Sequence, residues 1–226
     1  MSGSVLIFDV NETLLDLRAM DPLFLQVFGD AAVRPQWFQQ FVQNFLVTIV
    51  VGPYTDFGTI GRGALDMVAQ RLGRSLGEED RRRILGAIRE LPPHPEVHES
   101  LERLRSAGFR LGTLTNSTRA VAEAQMRSSG LVGLFEQILS AEEVRRLKPA
   151  PEPYRMAAER FGVAVGQVRL VAAHAWDVAG ALRAGCKAAF VARSGMVLDP
   201  IQPAPDIVGR DLAEVAAGII ATDAPA

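Results

Sequence analysis

Four apolar residues, Val5-Leu6-Ile7-Phe8, run without interruption into Asp9, and this arrangement narrows the possible folds more than any other in the chain. An unbroken apolar run of that length reads as a strand buried on both faces, the habit of parallel sheets covered by helices on each side. Similar runs recur at residues 110–115, 168–173 and 188–192, with a weaker one near Ile138 and Leu139. Helical spacing fills the intervals, at residues 97–107, 118–129, 151–161 and 177–184. Such alternation predicts right-handed βαβ crossovers and an α/β, doubly wound parallel sheet of Rossmann-like type.

Residues 18–90 break the alternation. They read as successive helices without a buried strand, Asp21-Pro22 marking one helix start and Glu78-Glu79-Asp80 another. The turn-rich stretch Leu91-Pro92-Pro93-His94-Pro95 marks the return. The expected organisation is therefore a core of residues 1–17 and 91–226 with a helical cap inserted at 18–90, ending in a frayed tail from Ala221. A chain of 226 residues can bury a core of this size. Its net charge of -2, spread along the sequence, offers no basic stripe for nucleic acid. No apolar stretch reaches the length of a membrane span. The single cysteine, Cys186, sits among small residues and reads as a buried inert thiol. A cytoplasmic setting is expected. Trp37, Phe38, Phe41 and Phe45 fall at helical spacing, as a core face or a homodimer face would.

Ligands of open parallel sheets bind beyond the carboxyl ends of the strands. Polar side chains follow four of the runs: Asp9 after the first, Thr115 and Asn116 after the second, Lys148 after the weak third, His174 and Asp177 after the fourth. Two carboxylates, a lysine, a hydroxyl and an amide brought together suit covalent catalysis, one carboxylate attacking while the lysine keeps it ionised.

Taken in order, FDVNETLLD, LTNST, LKPAPEPY and HAWDVAGA resemble the four motifs of the haloacid dehalogenase-like hydrolases, and most nearly the 2-haloacid dehalogenase branch. The resemblance implies that Asp9 is the nucleophile and Thr13 its hydrogen-bonding neighbour, with Val10 and Asn11 offering backbone amides. It also implies that Thr115 and Asn116 bind substrate, that Lys148 pairs with Asp9 with support from Tyr154, and that Asp177 positions the hydrolytic water. Trp176 is expected as a pocket wall. The metal-dependent phosphatases of the superfamily need an acid two residues after the nucleophile, where this chain has Asn11, and another in the last motif, where it has Ala172-Ala173. A site without metal or cofactor is the expectation. The implied reaction is hydrolytic dehalogenation of short 2-haloalkanoic acids to 2-hydroxy acids through an aspartyl ester.

Two departures stand out. The branch carries an arginine after a cap tryptophan, whereas Trp37 is followed by Phe38, leaving Arg18, Arg34 and Arg62 as candidates to replace it. Where branch members resemble SSNAWD, this chain reads AAHAWD, so His174 stands in place of an amide as a pocket base, a halide donor or a structural histidine. The alternatives are a phosphatase or phosphonatase-type hydrolase of the same fold, and a non-catalytic binder of small carboxylates.

Overall fold

The structure, a computed structural model, describes residues 4–223. Six parallel strands form one sheet: β1 (Val5–Phe8), β2 (Arg110–Thr115), β3 (Gln137–Ser140), β4 (Val168–Ala172), β5 (Lys187–Val191) and β6 (Ile207–Gly209), in the order β3-β2-β1-β4-β5-β6. The chain winds outward from β1 to one edge and then returns to wind to the other. The order therefore reverses beside β1, where such sheets open a crevice at their carboxyl ends.

Strand geometry explains the unbroken apolar runs. Leu6 and Phe8 point into one apolar cluster, with Val97, Leu101 and Leu104 of α5 (Val97–Ser106) and Leu212 and Val215 of α9 (Leu212–Asp223). Val5 and Ile7 point the other way, toward Ala157 and Phe161 of α7 (Pro151–Phe161) and Val178 and Ala181 of α8 (Ala175–Ala184). Successive side chains face opposite sides, so a strand covered on both must be apolar throughout. The remaining core helix, α6 (Arg119–Ser128), contributes Met126 to the first cluster.

Between β1 and α5 lie four helices and no strand of the sheet: α1 (Asp21–Phe28), α2 (Val33–Val51), α3 (Phe57–Arg71) and α4 (Glu78–Ala87). Trp37 and Phe41 of the aromatic face of α2 are spent inside this unit, while Phe38 and Phe45 also meet His174 and Trp176 beyond β4. Phe41 meets Phe57 with ring centroids 4.2 Å apart, Trp37 packs on Phe24, and the Trp37 indole donates to the Gly61 carbonyl at 3.0 Å. Gly61 permits that approach, since a Cβ there would lie 2.8 Å from the Phe41 ring. The two connections to the sheet run side by side: Asp16 N–H donates to Pro92 O at 2.8 Å and His94 N–H to Leu14 O at 3.0 Å.

Three local expectations are corrected. The helix after β4 starts at Ala175 with His174 at its N-cap, so Asp177 lies inside the first turn rather than opening it. Similarly α1 begins at Asp21 with Met20 as cap and Pro22 in the first turn. The carboxyl-terminal segment is helical through Asp223, whose carboxylate accepts from Arg169 and Lys187 at 2.7 Å each; the tail beyond it lies outside the described residues.

Candidate active site

Most candidate side chains are set by where a strand stops, Phe38 of α2 and Tyr154 of α7 being brought in by helices. β1 ends because its last ladder bond is made by Asp9 N–H to Val171 O at 3.0 Å, after which Leu14 and Leu15 both donate to Val10 O. That tight turn puts Glu12 at φ 62°, in the left-handed region, and aims the Thr13 hydroxyl back at Asp9 Oδ2, 2.7 Å away. The same hydroxyl accepts from Ala173 N–H at 2.9 Å, joining the ends of β1 and β4. Among the described residues, the Val10 and Asn11 backbone amides meet no acceptor.

Lys148 is delivered by the end of β2. The Asn116 side chain donates to Lys148 O at 3.0 Å and accepts from its N–H at 2.7 Å, gripping the backbone of the loop after β3. The Lys148 ammonium then bridges Asp9 Oδ1 at 2.9 Å and Asp177 Oδ2 at 2.5 Å. Asp177 Oδ1 accepts from the Tyr154 hydroxyl at 2.5 Å. Lys148, Tyr154 and Asp177 are fully buried, and Asp9 is 5% exposed. Ions so enclosed persist only when paired, and each of these is. Thr115 Oγ1 accepts from Ser117 N–H, and Asn11 takes a hydrogen bond from Gln125, which also reaches Ile88 O just after α4.

His174 completes the cluster. Its Nδ1 lies 3.3 Å from Asp9 Oδ2 and its Nε2 3.0 Å from Glu12 Oε2. The ring is held in an aromatic slot between Trp176, stacked at 5.2 Å, and Phe38, at 5.9 Å. Phe38 thus serves as a wall for the histidine. A cleft of about 410 Å³ opens above, lined by Glu12, Arg34, Phe38, His174, Trp176 and Met196 among others. Of the three arginines considered, Arg34 alone lines it: Nε is 2.5 Å from Asp21 and an outer nitrogen 3.9 Å from Glu12. Arg62 pairs with Glu78 and Arg18 with Asp16 elsewhere. The indole N–H of Trp176 is buried without a partner among the described residues.

The charges follow from these contacts. Burial pushes the Asp9 carboxyl up, but Lys148 and His174 outweigh it and hold it well below the ordinary carboxylate range. Burial pushes His174 down, yet its hydrogen bonds to Asp9 and Glu12 raise it to about 9, so the resting ring is an imidazolium. Lys148 is raised against its burial by Asp177 and Asp9. Asp177 is raised by burial, Lys148 opposing. A divalent cation does not fit this donor set. The Asp9 oxygens already accept from Lys148, Thr13 and His174, and Ala172-Ala173 bring no oxygen side chain.

A buried aspartate thus ends the first strand, held by a lysine after the third and joined through it to an aspartate after the fourth. Residues 4–185 of the chain match the family model of the haloacid dehalogenase-like hydrolases. The chain belongs to the haloacid dehalogenase-like hydrolases. Within that family it is 28% identical to an (S)-2-haloacid dehalogenase of Pseudomonas putida over 213 residues, covering 93% of each chain. It is likewise 28% identical to haloacetate dehalogenase H-2 of a Moraxella species, over 88% of this chain and 90% of that one. The crystal structure of an L-2-haloacid dehalogenase superposes with a TM-score of 0.91 at 28% identity, covering 97% and 99% of the two chains.

All twelve residues singled out from the sequence lie at this edge of the sheet or along the cleft. Glu12 and Gln125 were not among them. Glu12 had one available signal: a histidine beside the nucleophile needs an anionic partner, and the loop before Thr13 holds an unassigned carboxylate.

Proposed function

We propose that this family member is a hydrolytic dehalogenase of short 2-haloalkanoic acids, with Asp9 as nucleophile and residues 18–90 acting as a cap over the core. The observation that carries the reading is the bridge from Lys148 to both Asp9 and Asp177 beneath the cleft. It keeps Asp9 ionised while removed from water, the state in which a carboxylate can displace a halide from saturated carbon. The names of the relatives support it.

The first step forms a bond from an Asp9 oxygen to the substrate Cα, and the halide leaves with the electron pair. Arg34 supplies the cationic charge at the cleft that Phe38 does not, and receives the substrate carboxylate. The Trp176 N–H, without a partner among the described residues, is a donor for the departing halide. Water then attacks the Asp9 carbonyl carbon, so the new Cα–O bond survives and the 2-hydroxy acid is inverted at Cα. The buried thiol of Cys186 fits a reducing, cytoplasmic setting.

The test is halide release from chloro-, bromo- and fluoroacetate and both 2-chloropropionate enantiomers, with chelator present, comparing wild type with Asp9→Asn. Release that Asp9→Asn abolishes is expected. Silence of the wild type across the panel, or turnover only when a divalent metal is added, would defeat the reading.

A further inference from the structure

We propose that Glu12 and His174 form the pair that activates water against the Asp9 ester, while Asp177 is kept as an anchor for Lys148. The inference rests on the dehalogenase reading and assigns its second step. Asp177 is poorly placed to take a proton from water: it is fully buried, and its two oxygens already receive the Lys148 ammonium and the Tyr154 hydroxyl at 2.5 Å each. His174 is different. It lines the cleft, so water reaches it, and its Nδ1 is 3.3 Å from the carboxylate that becomes the ester. Glu12 holds the opposite nitrogen at 3.0 Å, and the rings of Trp176 and Phe38 fix the plane. A base aimed at the reacting group and oriented from behind by a carboxylate is the geometry of assisted nucleophilic attack.

The resting imidazolium cannot act as a base, and the first step removes that obstacle. Esterification consumes the negative charge of Asp9, one of the two anions that keep the ring protonated. The charged groups around His174 are then Glu12, with Lys148 and Arg34 at one remove, and the ring releases a proton to solvent. Neutral His174 keeps its Nε2 proton on Glu12 and turns an Nδ1 lone pair toward the incoming water. It takes one proton as the water oxygen bonds to Asp9 Cγ, and returns it to the 2-hydroxy acid oxygen as the Cγ–O bond breaks. The carboxylic acid left on Asp9 passes its proton back to His174, which restores the starting ion pair. Over both steps the protein is unchanged, and haloacid plus water gives hydroxy acid, halide and one proton.

Rapid-quench measurement of halide, with intact mass, decides the matter using (S)-2-chloropropionate and the variants His174→Gln and Glu12→Gln. Neither amide can accept the proton, and both keep the side-chain volume near that of the native residue. The expected result is one equivalent of chloride released per enzyme at a rate within about fivefold of wild type. Steady turnover then falls by at least about a hundredfold, and the protein carries one added carboxyethyl group. Asp177→Asn, which loosens Lys148, is expected to lose the first equivalent itself. Loss of the first equivalent in both glutamine variants, or trapped ester in Asp177→Asn, would overturn the assignment while leaving the dehalogenase reading intact. A wild type silent toward every haloacid would remove both.

Discussion

Replacing Lys148 by methionine tests the electrostatic account of the site without reference to substrate. The ammonium is the direct cationic partner of Asp177 and one of two for Asp9. Without it, two enclosed carboxylates face each other, and breaking a buried pair in this way costs about 3–5 kcal/mol. The variant has one escape, which is to protonate a carboxyl. That costs about 1.4 kcal/mol for each pH unit above an unfolded value near 3.9. The penalty should therefore be near 1.5 kcal/mol at pH 5 and near 4 kcal/mol at pH 7, whichever route is cheaper setting the limit. The sign follows from the direction of the shift. A carboxyl whose folded value is raised binds its proton more tightly when folded, so the variant loses stability as pH climbs from the unfolded value toward the folded one. Urea unfolding of wild type and Lys148→Met at both pH values measures it, and at about 2–3 kcal/mol per molar urea the pH 7 midpoint should drop by roughly 1.5 M. Adding Asp177→Asn to the variant should recover most of the loss and none of the halide release. An equal loss at both pH values, or less than about 1 kcal/mol at pH 7, would refute the reasoning.

Three further outcomes are expected. Because His174 is raised from 6.5 to about 9 in the folded protein, its contribution is fully present below pH 6.5 and lost as pH rises through 9; wild-type melting temperature should fall across that window, and His174→Gln should be flat within it. Arg34→Gln should lower kcat/KM for haloacids about ten- to a hundredfold, the value of a charge-assisted hydrogen bond of about 1.5–3 kcal/mol, mainly through a higher KM. Gly180→Ala would place a Cβ 2.5 Å from Pro149 Cβ and 2.7 Å from the Tyr154 hydroxyl; unfolding should show a loss of about 1–3 kcal/mol, with halide release falling more than stability explains because the Lys148 loop is displaced.

The buried strands were legible because a strand covered on both faces has no polar option, and the run from Val5 to Phe8 needed no other argument. The last strand, Ile207–Gly209, carries no such signal. It is three residues long at the sheet edge with Val208 exposed, and a pattern that short is shared with any loop. Its partner helix, Leu212–Asp223, hides its last turn for another reason: Asp223 reads as a polar tail residue, and only Arg169 and Lys187, far away in sequence, make it an anchor. Asp9 was visible as the residue that stops a strand. Lys148 was visible by its place after the weak third run and by the motif resemblance, but its complete burial was not, since that depends on Asn116 gripping its backbone, and that contact spans residues 32 apart. Glu12 escaped although His174 called for an anionic partner, because what turns its carboxylate toward the ring is a positive φ that residue type alone does not disclose.

That same backbone angle sets stability and chemistry against each other at one codon. A glutamate at φ 62° carries a conformational cost of about 1–2 kcal/mol that glycine would not, and glycine would also remove the carboxylate behind His174. Selection for folding alone should drift position 12 toward glycine, and selection for turnover should hold it at glutamate. Sequencing a saturated library at Glu12 under each regime would show the two populations diverge, making this position an internal gauge of whether a lineage still uses the reaction.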